Sequence, residues 1–383
     1  MSKKIKLAED TIDTEELNLL SNWILEGNQL TKGQLTSKFE KKFSEYIGSK
    51  YSIFVNSGSS ANLLMIYGMM QSGRLKNNIA IAPAVSWVTT VSPFLQLGFD
   101  TKLCDCNPNN LGMDINHLEK LCSDFNPSIL IMCDVLGHAN DFDEIERICE
   151  KYGVIILEDS CEALGSEYCN QKLGTLGIAG SFSFYYGHHI STIEGGMVVT
   201  DDKELFNIMK SIRSHGWSRD LESTDVEKLR NTHNIDEFRN FYTFYYPGFN
   251  LRSTDLSAFL GILQLQKIEK IVKKRMQNFY KYKELLSDFW CQESNTNIIS
   301  SFAYGTFVEN RLELSQFLKR NSIESRPLIC GNIARHPFWT GEKNGLKNAD
   351  LVHDNGIYLP NHLNLEFKDI SKITNCLKEF YKN

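Results

Sequence analysis

Four short apolar runs, mostly of β-branched residues, recur through the first half of the chain: "YSIFVN" (51–56), "NIAIAP" (78–83), "SILIMC" (128–133) and "VIILED" (154–159). Each reads as a buried strand. Helical patterns such as "DFDEIERICEKYG" lie between them. Buried strands alternating with helices predict an α/β domain with a mainly parallel sheet. A fifth strand is expected in "SFSF" (181–184), which leads through Gly187 and two histidines into a sixth, "MVVTDD" (197–202). Upstream, Asp13 followed by Glu16 forms a capping-box helix start, with Leu17, Leu20 and Ile24 as its apolar face and Gly27 as its end. The pattern changes after residue 255. A long helical stretch (255–286) leads into shorter mixed elements. The expected organisation is a large domain over 1–250, then a connecting helix and a small C-terminal α+β domain over 251–383.

Composition excludes several classes. A net charge of −6 offers no broad basic surface for nucleic acid. No apolar run approaches the roughly 20 residues that span a bilayer, so no membrane partner is expected. The opening "MSKKIKLAED" is basic but has no apolar run behind it, so it does not read as a secretory signal. Ten scattered cysteines suit reduced thiols in a cytoplasm rather than a disulfide framework. Cys104 and Cys106 would make half a metal site. Without a matching second pair they read as buried thiols, and no metal is expected.

In open α/β sheets ligands sit at the carboxyl ends of the strands, and several of these ends carry chemistry. "NSGSSAN" (56–62) ends a strand and opens a helix, where Gly58 and Ser59 let backbone N–H groups approach a phosphate; an ordinary N-cap is the plainer reading. Trp87 follows another strand end and would stack on a flat ring or fill a core. Asp159 ends a strongly apolar strand; a buried carboxylate there needs a cationic partner, unless it caps a helix. Ser183, His188 and His189 follow in "SFSFYYGHH". Further on, "IRSHGWSR" brings Arg213, His215 and Arg219, "GFNLRSTDL" brings Asn250 and Arg252, and "ESRPLICGN" brings Glu324, Arg326 and Asn332. As a set these cations and amides suit an anionic, polyhydroxylated ligand.

In this order, the segments "NSGSSANLL", "PAVSWVTT", "LEDSCEALGS", "SFSFYYGHH", "EGGMVVTDD", "RSHGWSR" and "GFNLRSTDLSAFLGILQLQK" resemble the DegT/DnrJ-type sugar aminotransferases. The resemblance implies the type I, aspartate aminotransferase-like fold and a homodimer with shared active sites that binds pyridoxal phosphate (PLP). It also implies that Gly58, Ser59 and Ser183 hold the cofactor phosphate, Trp87 stacks on its ring and Asp159 pairs with its pyridine nitrogen. Asn250 would reach the phosphate from the other subunit.

One position departs from that family. Where its aminotransferases carry the lysine that binds PLP covalently, this chain has His188, and no lysine occurs between Lys172 and Lys203. Imidazole cannot hold the aldehyde stably, but it can move protons near neutral pH. Glu162 departs too, from a usual Gln near the cofactor's ring hydroxyl. A histidine here resembles the nucleotide-sugar 3-dehydratases. One kind of these is CDP-linked and adds a [2Fe–2S] cluster held by about four thiolates. After His188 only Cys291, Cys330 and Cys376 remain, so no iron–sulfur cluster is expected. The other kind implies PLP and pyridoxamine phosphate (PMP), L-glutamate as amine donor and a GDP-linked 4-keto-6-deoxy hexose or heptose losing its C-3 hydroxyl. His188 would be the catalytic base and acid. His215, Arg219, Arg252, Glu324 and Arg326 are the expected substrate contacts. A nucleotide-sugar 4-aminotransferase and a catalytically dead PLP-fold binding protein are the competing readings.

Overall fold

A computed structural model describes residues 4–382. Its centre is a seven-stranded sheet: β1 (Tyr51–Val55), β2 (Ile79–Pro83), β3 (Asp100–Cys104), β4 (Ile129–Cys133), β5 (Ile155–Asp159), β6 (Ala179–Ser183) and β7 (Gly196–Thr200). The spatial order is β1-β7-β6-β5-β4-β2-β3. β2, β3, β4, β5 and β6 pair in parallel, and β7 runs antiparallel to both β6 and β1. All the expected strands are present. β4, β6 and β7 are buried along their whole length, as a sheet covered on both faces requires.

Helices cover both faces. On one side Gly58–Gln71 and Lys203–Arg213 pack over Ile53, Leu157 and Val198. On the other, Gln34–Ile47 brings Phe39 and Phe43 onto Phe54, Phe182 and Phe184. Phe39 meets Phe54 edge-on at 4.9 Å between ring centroids. The predicted first helix forms over Thr14–Leu25 with the Asp13–Glu16 capping box in place, and Gly27 follows with φ of 77°. Asp255 is buried. Its carboxylate accepts from the N–H groups of Gly33, Leu35 and Thr36, tying the start of Gln34–Ile47 to the helix that Asp255 opens.

The long helix expected over 255–286 is two helices, Asp255–Leu265 and Ile268–Leu285, broken at Gln266 and Lys267. The break lets the first helix lie on Gln34–Ile47 while the second carries Phe279 and Tyr282 into a separate C-terminal core. Continuous helical propensity hides such a break, because packing sets the axis. A small antiparallel sheet (Tyr304–Phe307, Gly356–Leu359, Arg326–Pro327) and the helices Arg311–Arg320 and Phe367–Phe380 build the rest of that region. Cys104 and Cys106 are buried as apolar side chains.

The aromatic cluster yields a direct test. Phe39→Ala removes a fully buried ring and should lower the unfolding free energy by about 3–5 kcal/mol in urea denaturation.

Candidate active site

The carboxyl ends of the parallel strands open onto one cavity of about 490 Å³. Ser57, Gly58 and Ser59 line it from the start of the helix Gly58–Gln71. Ser57 caps that helix by accepting from Ser60 N–H at 3.1 Å. The N-terminal end of a 14-residue helix therefore meets the cavity and favours an anion there. Gly58 is required: a Cβ at that position would lie 2.6 Å from Ser183 Cβ, and Ser183 lines the same wall.

Asp159 ends β5 at the cavity floor and is 4% exposed. No helix begins there, so the capping reading fails. The carboxylate instead accepts from neutral donors: Asn62 Nδ2 and Thr90 Oγ1 at 2.7 Å each, and the Cys161 amide at 3.2 Å. A buried carboxylate so held is stabilised further by a ligand cation. Trp87 lines the cavity and is 57% exposed, which removes the core-tryptophan reading.

His188 lies at the rim, part-buried, with its ring 5.0 Å from that of Phe302. Its Nδ1 is 2.9 Å from the Cys161 carbonyl oxygen. A carbonyl only accepts, so Nδ1 carries the proton and Nε2 is left with a free lone pair. Burial lowers the His188 pKa to about 4, which keeps the ring neutral at ordinary pH. His189 is 1% exposed, and its Nε2 donates to the Ser300 carbonyl at 2.7 Å. Glu162 lines the cavity and accepts from Leu136 N–H at 2.9 Å, and burial pushes its carboxyl up to about 8. None of the described residues lining the cavity is a lysine.

The other expected residues lie outside this cavity in the same chain. Arg252 donates to Asn250 Oδ1 at 2.9 Å and sits 3.2 Å from His215 Nε2. Arg219 stacks on Trp217, its Cζ 4.0 Å from the ring centroid. This cluster joins the sheet beside β1, where Val55 bridges Arg252. Arg213 is a core residue, fully buried and paired with Glu40 and Asp220. Glu324 accepts from Leu7 N–H at 3.0 Å and pairs with Lys4, so it holds the N-terminal segment whose Leu7 and Ala8 line the cavity. Arg326 is exposed, opposite Tyr358 in the small sheet. Asn332 caps a short 3-10 turn. The sequence reading missed Leu7, Ala8, Phe302, Ala303, Ile329 and Tyr358 as cavity walls. They are apolar or lone aromatic residues far from the motifs, and only the chain's return path brings them there.

Residues 10–378 match the DegT/DnrJ/EryC1/StrS aminotransferase family, and the chain belongs to it. Its central sheet and helices are the α/β PLP-dependent aminotransferase fold. Within the family it is 35% identical to the GDP-4-keto-6-deoxy-D-mannose 3-dehydratase of Yersinia pseudotuberculosis, covering 97% of this chain and 98% of that protein. The Escherichia coli enzyme of the same name, solved with bound hydrated PLP, superposes with a TM-score of 0.89 at 33% identity, covering 98% of this chain and 100% of that one. A further structure of such a dehydratase holds a trapped PLP–glutamate geminal diamine. It has the same TM-score at 32% identity, over 97% of this chain and 100% of that one.

The raised Glu162 pKa has a sign that stability measurements can read. Its carboxyl titrates near 4.5 when unfolded and about 8 when folded, so its contribution is full below about pH 4.5 and is lost as pH rises through about 8. Glu162→Gln should therefore gain stability relative to the parent protein as pH rises across that window, read by urea unfolding at each end. A difference independent of pH would show that the carboxyl titrates alike in the folded and unfolded states.

Proposed function

We propose that this protein is a PLP/PMP-dependent nucleotide-sugar 3-dehydratase that removes the C-3 hydroxyl from a GDP-4-keto-6-deoxy sugar. The observation that carries this reading is the neutral imidazole of His188, Nδ1 pinned and Nε2 free, on a cavity with no lysine among its described lining residues. The relatives named for this reaction cover nearly the whole chain.

The cavity fits the cofactor. Gly58, Ser59 and Ser183 would hold its phosphate at the helix start, Trp87 would cover its ring, and Asp159 would take a protonated pyridine nitrogen. When bound, the cofactor supplies an amine that glutamate renews and a ring that accepts electrons. The remaining work belongs to the chain. His188 Nε2 accepts a proton, then returns it to the departing C-3 hydroxyl, which leaves as water. A lysine there would capture the cofactor and favour amino transfer; a histidine does not. Glu162, neutral at ordinary pH, would donate toward the ring hydroxyl. The balance closes with glutamate as the two-electron reductant: sugar hydroxyl and glutamate become deoxysugar, 2-oxoglutarate and ammonia.

His215, Arg219, Asn250 and Arg252 act, in this proposal, on the cavity of a second protomer. Their position outside their own cavity supports this, with Arg219 and Asn250 exposed and His215 and Arg252 half-buried, as does the adjoining patch of exposed Phe238, Phe241, Tyr242 and Phe244. Residues 1–250 form the cofactor-binding part, and 251–383 close the cavity through Phe302, Ala303, Ile329 and Tyr358. Glu324 and Arg326 would serve the substrate through the N-terminal segment and Tyr358. No helix among the described residues is long and apolar enough to cross a membrane, which suits a cytoplasmic enzyme acting on a soluble nucleotide sugar.

The test is to incubate the protein with PLP, L-glutamate and a GDP-4-keto-6-deoxy sugar, following ammonia release and sugar mass. Loss of the 3-hydroxyl with ammonia release is expected, falling about 10²–10⁴-fold in His188→Asn. An aminated sugar that keeps its 3-hydroxyl would instead make this a 4-aminotransferase.

A further inference from the structure

Arg275 lies on the helix Ile268–Leu285, outside every motif, and is 1% exposed. No carboxylate pairs with its guanidinium among the described residues. Its acceptors are five backbone carbonyls from three separate segments. Nη1 donates to Ser301, Phe302 and Asn361, with 2.8 Å to Phe302. Nη2 donates to Gly187 at 3.4 Å and to His188 at 3.3 Å. Nε has no partner. Asn361 closes the network by donating to the carbonyls of Arg275 and Ser301. Burying an unpaired cation is costly, and a core that needed only cohesion would be served by apolar side chains.

The segments held are those that set His188. Its main chain is anchored to Arg275, its Nδ1 to Cys161, and its ring rests on Phe302, whose carbonyl Arg275 also binds. We propose that Arg275 is a positioning residue for His188: its guanidinium clamps the Gly187–His188 turn to the Phe302 and Asn361 segments and so fixes where the imidazole sits in the cavity. The inference rests on the reading of His188 as the proton carrier. The flat fork of arginine donors suits several carbonyls at once, which a lysine ammonium cannot match. The titratable groups around His188 are Cys133, Asp159, Cys161 and Glu162 from the β4 and β5 ends, Tyr185, Tyr186, His189 and Glu194 from its own loop, Tyr358 from the small sheet, and Arg275. Asp159 raises the affinity of His188 for a proton and Arg275 lowers it. Burial leaves the guanidinium at about 10, so it is charged throughout the working range.

Two variants of the full-length, PLP-loaded protein separate charge from geometry. The readouts are a histidine ¹³Cε1 NMR titration, with the His188 signal identified by its absence in His188→Asn, and the steady-state pH profile. In Arg275→Met the proton affinity of His188 should rise about tenfold or more, with the acidic limb of kcat moving up alike. In Arg275→Lys the charge stays, so the titration should remain near that of the parent. The clamp is lost, so kcat should fall about tenfold with KM little changed. An unchanged titration in a folded Arg275→Met would overturn the proposal. So would parent-like kcat in Arg275→Lys, which decides the matter if Arg275→Met does not fold. The titration needs no substrate, so it is read independently of whether the sugar reaction is a dehydration.

Discussion

The buried carboxylate of Asp159 is the interaction around which the site is assembled. It ends the central parallel strand and draws in Asn62 from one helix and Thr90 from another. Asn62 in turn accepts from Ser181 on β6 at 2.6 Å. Two sheet strands and two helix starts are thereby fixed around one negative charge. A charge in that position must be solvated by directed donors or by a ligand cation, and the fold supplies the donors in a ring. The anion-favouring helix start at Gly58 lies beside it, so a ligand with a phosphate at one end and a cationic ring at the other is matched at both.

His188 and Arg275 show how one position redirects a shared scaffold. In this chain the side chain that follows the "SFSF" strand and its turn lines the cavity. A histidine there can move a proton but cannot hold an aldehyde as a lysine amine can. Its usefulness depends on being neutral and on which nitrogen is bare, and neither follows from residue type alone. The Cys161 carbonyl selects the tautomer, and burial beside a cation lowers the pKa.

Most of the sheet was legible because buried parallel strands are written as uninterrupted apolar runs. The location of the cavity was legible as well, since Gly58, Ser183 and Asp159 fall at strand ends where ligands gather, and all three line it. The helix over 255–286 was misjudged at its middle. Gln266 and Lys267 are good helix formers, and only packing on Gln34–Ile47 forces the break. Arg213 looked like a ligand contact because a charged residue reads the same whether it faces solvent or a core carboxylate.

The amino-acid sequence by itself determined the layer architecture, the positions of the turn at Gly58 and of Asp159, and the presence of His188 in a stretch without lysine. These depend on local pattern, residue type and order along the chain. Only the tertiary structure decided which walls close the cavity, which nitrogen of His188 is free and what holds it in place. Those depend on Phe302, Tyr358, Cys161 and Arg275, most of them far from the histidine along the chain. Their effect comes through backbone carbonyls, burial and electrostatics, which no residue-level pattern encodes.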